Sequence, residues 1–272
     1  MNTPVITSTA NPVIKNLYAL RKRSERDDQE LFLIEGYRAI TRALDSDFPL
    51  LTLYYCPELY LGTNEPALVA RAAATGAQVI QLSSTALIKA AYRDKPEGLL
   101  AVGRQWHTSL DKLVLSANPF IIVAESIEKP GNLGTILRSA DATGADAVIV
   151  CDPVTDLFNP NVVRASTGVM FKVPTVIAAT GEVITFLKKN HVQTVAAIVQ
   201  AKQSYTTPDL TKPTAIILGS EQYGLSDTWQ DACDQPVRLP MLGLADSLNV
   251  AAATVVLAYE VVRQRQSQQT LN

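Results

Sequence analysis

Residues 128–146 combine the glycines and polar side chains that could hold a ligand at the end of a strand. Gly131 and Gly134 would let a backbone approach a ligand closely, and the helix predicted to begin at Asn132 favours an anion at its N-terminus. Arg138 follows Asn132 by six residues, less than two helical turns. Taken alone, the segment is equally consistent with an ordinary strand–helix turn that carries a surface arginine.

Two later segments also combine glycines with polar side chains that could hold a ligand. In residues 216–227 an apolar run ends in Gly-Ser-Glu, and Glu221 could bind a hydroxyl or a positive group. In residues 239–260, Ser247 is expected to cap a long apolar helix, with Asn249 in its first turn. A turn with Ser226 as a helix cap explains the first of these two segments at least as well, and a capped core helix explains Val250 to Leu257 in the second.

Predicted strands and helices alternate along the whole chain and would position these segments. In the C-terminal half, strands alternate with helices of about 10–15 residues, which indicates a parallel sheet covered on both faces. The first helix is expected to begin with Asn11 as N-cap and Pro12 in the first turn. Residues 104–112 are polar and aperiodic. The sequence therefore predicts an α/β fold of two domains, 1–103 and 113–272, joined by a linker over 104–112.

The composition excludes several classes of protein. No apolar run approaches the roughly 18–20 residues that span a bilayer, and the first residues lack a secretory signal, so we expect a soluble, cytoplasmic protein with no membrane contact. Three scattered cysteines argue against a disulfide framework, and with only two histidines a structural zinc site is not expected; we predict no metal. No G-x-S-x-G hydrolase elbow occurs.

The net charge of −2 does not favour a polyanion partner, so any such contact must rest on local patches. Residues 1–24 form one such patch, since they contain four cations and no acid. These cations are Lys15, Arg21, Lys22 and Arg23.

Together the three segments carry a resemblance that none carries singly. PGNLGTILRSADATGAD, LGSEQYGLS and LPMLGLADSLNVAAA resemble, in order and spacing, the three signature motifs of the SpoU-type (TrmH-like) RNA 2′-O-ribose methyltransferases of the SPOUT superfamily. FNPNVVRASTG, residues 158–168, also matches the family pattern, and the resemblance covers roughly residues 120–260. Most of residues 8–103, including NPVIKNL and LFLIEGYRAI, resembles the substrate-binding domain often placed ahead of this catalytic domain.

The resemblance implies a fold, a cofactor and partners. The front domain would be L30e-like and bind RNA, and the C-terminal domain would contain a trefoil knot. The methyl donor would be S-adenosylmethionine, held by the second and third motifs, and the protein would be a homodimer through its C-terminal domain.

The resemblance also implies site residues. The catalytic set is Asn132, Arg138, Glu221, Ser247 and Asn249. The donor-binding set is Leu218, Gly219, Gly224, Leu239, Met241 and Leu248. The RNA-binding set is Lys15, Arg21, Lys22, Arg23, Arg38 and Arg164.

The implied reaction limits what Arg138 can do. A ribose 2′-hydroxyl must attack a methyl group on a sulfonium, and its oxygen must lose a proton or be stabilised as charge develops. A guanidinium keeps its proton to about pH 12, so we expect Arg138 to grip a phosphate or the developing oxyanion rather than to act as a plain base. Asn132 would orient Arg138 or the ribose.

The sequence bears on three classes of function. The favoured one is a ribose 2′-O-methyltransferase for 23S ribosomal RNA, with tRNA as the runner-up substrate. A non-catalytic RNA-binding factor of the same fold is a second class, against which the complete catalytic set counts. A nucleotide-dependent oxidoreductase is disfavoured because its glycine-rich fingerprint is absent.

Overall fold

The computed structural model describes residues 5–269, which form two compact units. The first contains residues up to 106 together with 156–172, and the second contains 107–155 with the residues from 173 onward. The helices are α1 (Pro12–Ala19), α2 (Arg23–Gln29), α3 (Tyr37–Asp45), α4 (Glu65–Ala74), α5 (Ser84–Ala90), α6 (Pro130–Thr143), α7 (Pro160–Ser166), α8 (Thr180–Lys189), α9 (Asp227–Ala232) and α10 (Val250–Gln269). The strands are β1 (Leu31–Glu35), β2 (Leu50–Tyr55), β3 (Gln78–Gln81), β4 (Leu99–Arg104), β5 (Phe120–Glu125), β6 (Ala147–Cys151), β7 (Thr175–Ala178), β8 (Gln193–Ala197), β9 (Gln203–Ser204), β10 (Thr214–Leu218) and β11 (Gln235–Arg238).

The first unit is built on a four-stranded sheet in the order β1-β4-β2-β3. β4 runs antiparallel to both of its neighbours, whereas β2 and β3 are parallel. The predicted start of α1 is confirmed, because the Asn11 Oδ1 accepts a hydrogen bond from Val13 N at 2.9 Å. Leu17 of α1 and Leu87 of α5 pack into the same core as Leu33 of β1.

The segment 156–172 groups with the first unit, although the predicted domain boundaries place it inside 113–272. Its aromatic side chains provide the physical reason. The Phe158 ring lies with its centroid 4.9 Å from that of Phe32 and 4.8 Å from that of Trp106. Such aromatic pairs bury large apolar areas, so this short segment is a part of the first unit's core.

The second unit contains the parallel sheet that the strand–helix alternation predicts. Its seven strands are ordered β7-β6-β5-β10-β8-β11-β9, and every neighbouring pair is parallel. The central strands β5, β6 and β10 are buried along their whole length, as expected for strands covered by helices on both faces. All the loops that leave the carboxyl ends of these strands emerge at one edge of the sheet, where α/β proteins bind ligands.

The helix predicted to begin at Ser247 begins three residues later, so the expected cap is wrong. α10 starts at Val250, and Asn249 caps it, because the Asn249 Oδ1 accepts a hydrogen bond from Ala251 N at 3.0 Å. Ser247 lies in the exposed loop before the helix. Asn249 replaces it because an Asx side chain two residues before a free N–H has the right reach to accept its hydrogen bond.

No helix in the described part of the chain is long and apolar enough to cross a membrane. Among residues 5–269, no three His, Cys, Asp or Glu side chains are grouped so that they could hold a metal ion.

Candidate active site

A cavity of about 750 Å³ lies at the carboxyl ends of β8, β10 and β11 in the second unit. Its floor is apolar, with Ala197, Leu218 and Val237 at the ends of these three strands. Its walls are the loops that follow β10 and β11. Every residue predicted to bind the methyl donor lines this cavity: Leu218, Gly219, Gly224, Leu239, Met241 and Leu248.

The loop after β10 is closed into a small rigid arch. Ser220 and Gly224 exchange two backbone hydrogen bonds, of 2.9 and 3.1 Å. Gly224 has φ +71°, a conformation that favours glycine, and a Cβ atom at Gly219 would lie only 2.2 Å from the Gly224 carbonyl carbon. The two glycines therefore allow the arch to fold back onto the end of β10.

Glu221, in this arch, is held by hydrogen bonds from the loop after β5. Its carboxylate accepts from Glu128 N at 2.9 Å, from Lys129 N at 3.2 Å and from Asn132 Nδ2 at 2.5 Å. Burial acts to raise the pKa of Glu221, but these hydrogen bonds outweigh it and leave the pKa below its ordinary value. Glu221 is therefore an ionised anchor that joins two loops, and its hydrogen-bonded oxygens are not those of a free base.

Asn132 and Asn249 extend this anchor into a polar chain beside the cavity. A carboxylate only accepts hydrogen bonds, so the Asn132 amide must direct its NH₂ group to Glu221 and its oxygen away. That oxygen accepts a hydrogen bond from Asn249 Nδ2 at 3.2 Å. One residue from each of the three sequence segments thus joins a single chain of hydrogen bonds, with one Asn132 N–H left for another partner.

Arg138 and Ser247, the other two predicted catalytic residues, lie outside this chain. Ser247 lines the cavity but is exposed. Arg138 is exposed on α6 and does not line the cavity, and its side chain makes no hydrogen bond or ion pair with any residue of 5–269. Six residues turn a helix by about 240°, so Arg138 points to a different side of α6 from Asn132.

The predicted RNA-binding residues all lie in the first unit. Lys15, Lys22, Arg23, Arg38 and Arg164 are exposed, and Arg21 is half-buried. Arg23 forms an exposed ion pair with Asp27 at 3.4 Å, whereas Lys15, Lys22 and Arg38 have no ion pair within the described residues. The charges of these three cations are thus available to a ligand.

We call the predicted RNA-binding cations of the first unit, together with Lys89, its basic surface. The sequence analysis missed Lys89 and its neighbour Tyr18. The Lys89 Nζ lies 4.4 Å from the Tyr18 ring centroid, and the Arg21 guanidinium carbon also lies 4.4 Å from it. Arg21 Nη2 donates to the Lys89 carbonyl at 3.3 Å. Because α1 and α5 are far apart in sequence, only their packing reveals that one tyrosine orders two cations.

An all-parallel sheet with a ligand-sized cavity at its carboxyl edge is typical of α/β proteins that bind a small molecule there. The model of the SpoU rRNA methylase family matches residues 119–259, and that of an MRM3-like substrate binding domain matches residues 11–101. The chain therefore belongs to the SpoU rRNA methylase family, as the three motifs predict. Its solved relatives share the SPOUT fold, which contains a trefoil knot.

Similar proteins match along nearly the whole chain. A 23S rRNA (uridine(2479)-2′-O)-methyltransferase of Streptomyces viridochromogenes is 32% identical over 92% of this chain and 89% of its own. The crystal structure of an RNA 2′-O ribose methyltransferase is 41% identical, with a TM-score of 0.85 over 97% of this chain and all of its own. An AdoMet-bound rRNA methyltransferase from Sinorhizobium meliloti is 31% identical, with a TM-score of 0.87 over 96% and 97% of the two chains.

Proposed function

We propose that this protein is an S-adenosylmethionine-dependent methyltransferase that modifies a ribose 2′-hydroxyl of 23S ribosomal RNA in the cytoplasm. The observation that carries the proposal is the convergence of Asn132, Glu221 and Asn249, from three separate motifs, beside a cavity lined by every predicted donor-binding residue. The activities named for the similar proteins support the choice of reaction and of substrate.

The cavity fits S-adenosylmethionine in size and chemistry. Its volume of about 750 Å³ lies within the ~300–1,000 Å³ range of small-molecule sites. The apolar floor at Ala197, Leu218 and Val237 suits a flat heteroaromatic ring, and the loop backbone and polar side chains above it suit polar ends. When bound, this cofactor supplies an activated methyl group on a positively charged sulfur.

The residues of the chain position the acceptor and stabilise its developing charge. The Asn132 amide, fixed between Glu221 and Asn249, presents its remaining N–H to the ribose. Arg138 grips a phosphate or the forming 2′-oxyanion, because its guanidinium stays protonated and offers several donors. The 2′-hydroxyl proton passes to solvent water, because the Glu221 carboxylate already accepts three hydrogen bonds from the protein.

The homodimer is part of the proposal and is supported by exposed apolar side chains of the second unit. Leu242 and Leu244, in the loop before α10, are almost completely exposed, and Val255 and Tyr259 on α10 are also exposed. These four apolar side chains lie near one another in the sequence, and a second copy of the chain would cover them if they meet at the surface. In such a dimer, the outward-facing Arg138 of one subunit would lie beside the cavity of the other subunit.

The first unit contributes RNA contacts in this proposal. Its match to a substrate binding domain supports that role, as do Lys15, Lys22 and Arg38, which form no ion pair within residues 5–269. Phosphate contacts of this kind position an RNA without reading its sequence.

The deciding experiment is to map 2′-O-methylated nucleotides in total RNA from cells with and without the gene, followed by methylation of the same RNA with purified protein. We expect one large-subunit rRNA site to be lost and to be restored in vitro. A lost tRNA site would change the substrate. Donor binding with no lost site in any RNA would favour a non-catalytic RNA-binding factor.

A further inference from the structure

Tyr223 stands at the tip of the arch after β10, on the rim of the cavity. Its side chain is 80% exposed although it is large and aromatic. Within the described residues its ring makes no aromatic or cation–π contact, and its hydroxyl makes no hydrogen bond. Packing and folding therefore do not explain its presence, whereas the cavity beside it gives it a possible ligand.

The backbone that presents this ring is fixed. Tyr223 N donates to the Ser220 Oγ at 3.0 Å, inside the arch that the Ser220–Gly224 hydrogen bonds close. The preceding Glu221 is tied to the loop after β5. Only the two side-chain torsions of Tyr223 remain free, so ordering the ring against a ligand costs little conformational entropy.

A flat, neutral ring at this position is suited to stacking on a nucleobase. A single-stranded loop of RNA can bring a 2′-hydroxyl into a cavity more readily than a paired helix can, and proteins stabilise the unstacked bases of such loops on aromatic side chains. The donor's own adenine is a poorer candidate, because the apolar floor at Leu218 and Val237 offers it a buried surface, whereas Tyr223 faces outward.

We propose that Tyr223 is a substrate-positioning contact that stacks on the base of the RNA nucleotide entering the cavity. This inference rests on the proposed RNA methylation and adds to it a specific acceptor contact. Stacking does not distinguish one base from another by hydrogen bonding, so Tyr223 contributes to acceptor binding more than to base identity.

The test is the methylation kinetics of Tyr223→Ala, Tyr223→Leu and Tyr223→Phe with transcribed 23S rRNA, alongside donor binding by calorimetry. We expect Tyr223→Ala to raise the KM for RNA about tenfold with an unchanged donor Kd, Tyr223→Phe to behave as wild type, and Tyr223→Leu to fall between them. Val114→Ala, which removes another exposed apolar side chain of the second unit, is the matched control and should change nothing.

Three outcomes would overturn the inference. An RNA KM for Tyr223→Ala within twofold of wild type would show that no base stacks there. A tenfold weaker donor Kd would assign the ring to the donor, and a loss of dimer in sedimentation would assign it to a subunit interface. If the wild-type protein methylates no RNA, the proposed function fails and this contact fails with it, whereas active wild type with an indifferent Tyr223→Ala refutes the contact alone.

Discussion

The cavity of the second unit and the basic surface of the first unit both contain residues predicted from the sequence, but the structure constrains the two sets differently. At the cavity, Asn132, Glu221 and Asn249 are joined by hydrogen bonds between 2.5 and 3.2 Å. In the first unit, Lys15 and Arg38 lie on different helices, and neither forms an ion pair with any of residues 5–269.

The difference reflects the two kinds of chemistry. Stabilising charge on one oxygen requires donors held at a defined place, so the side chains around it must be fixed by their neighbours. Binding phosphates requires only that cations be near a long polyanion, and each contact contributes a modest, sequence-independent share. Substitutions should therefore have large, specific effects at the cavity and small, additive effects on the basic surface.

The largest effect is expected for Arg138→Ala. Removing the only proposed cationic group for the acceptor should lower kcat about 10³-fold and leave the donor Kd nearly unchanged, since Arg138 does not line the cavity. Single-turnover methylation with calorimetry of donor binding measures both. Arg138→Lys keeps the charge but not the planar fork, and should recover only part of the rate. An equal loss of donor affinity would show that the assigned role is wrong.

Glu221→Gln should lower kcat about 10²-fold. The amide has one acceptor oxygen, so its NH₂ group must face at least one of the donors Glu128 N, Lys129 N and Asn132 Nδ2, and the hold on Asn132 is weakened. Steady-state kinetics should show the loss mainly in kcat. A wild-type kcat would mean that Asn132 needs no anchor.

The same variant should show a characteristic dependence on pH. The pKa of Glu221 is lowered on folding from its ordinary 4.5, so its contribution to the free energy of unfolding is complete above pH 4.5 and is lost as pH falls through the lowered value. Urea unfolding of wild type and Glu221→Gln should therefore differ most above pH 4.5 and converge as pH falls through the lowered pKa of Glu221. A constant difference across this range would contradict the assignment of an ionised carboxylate.

Two substitutions of Asn249 can distinguish its role as the cap of α10 from its role in the polar chain with Asn132. Asn249→Ala should destabilise the protein by about 1 kcal/mol, because α10 loses the acceptor for Ala251 N, and should also lower kcat. Asn249→Asp keeps the capping oxygen but cannot donate to Asn132, so it should retain stability and still lose about tenfold in kcat. Thermal unfolding and kinetics of the two variants together distinguish the roles, and full activity of Asn249→Asp would remove Asn249 from the proposed site.

The smallest effects are expected on the basic surface. Lys15→Gln, Lys22→Gln and Lys89→Gln should each weaken RNA binding a few-fold and each reduce the slope of log Kd against log salt by about one, with kcat unchanged. Filter binding at several salt concentrations measures this. Asp28→Asn, in the same unit, removes a charge of the opposite sign and is the control. Salt slopes that stay constant in all three variants would exclude this surface from RNA contact.

Elements with strong local signals were predicted well. The proline and the Asn11 cap fix the start of α1, and the continuous apolar runs of β5, β6 and β10 identify buried parallel strands. α2 was missed because its residues have no apolar stripe. Its one buried side chain is Arg26, which bonds to Asp156 at 2.5 Å, a partner 130 residues away.

The site residues also differ in whether the local sequence could predict them. The three motifs contain Asn132, Glu221 and Asn249, which the structure joins by hydrogen bonds, but spacing along the chain could not show that Glu221 accepts three of them. The sequence pattern also placed the cap of α10 at Ser247. Either Ser or Asn can cap a helix, and only the backbone geometry selects Asn249. Lys89 had no local signal, because its significance comes from a tyrosine on another helix.

The inclusion of residues 156–172 in the first unit has a consequence for how such proteins can be rearranged by recombination. The chain passes from one unit to the other three times, after residues 106, 155 and 172. A gene fusion or exchange at a single junction near residue 106 would carry away Phe32 and Trp106 but leave their partner Phe158 behind. The two units can therefore be inherited, swapped or expressed as fragments only with a matched replacement of this short segment.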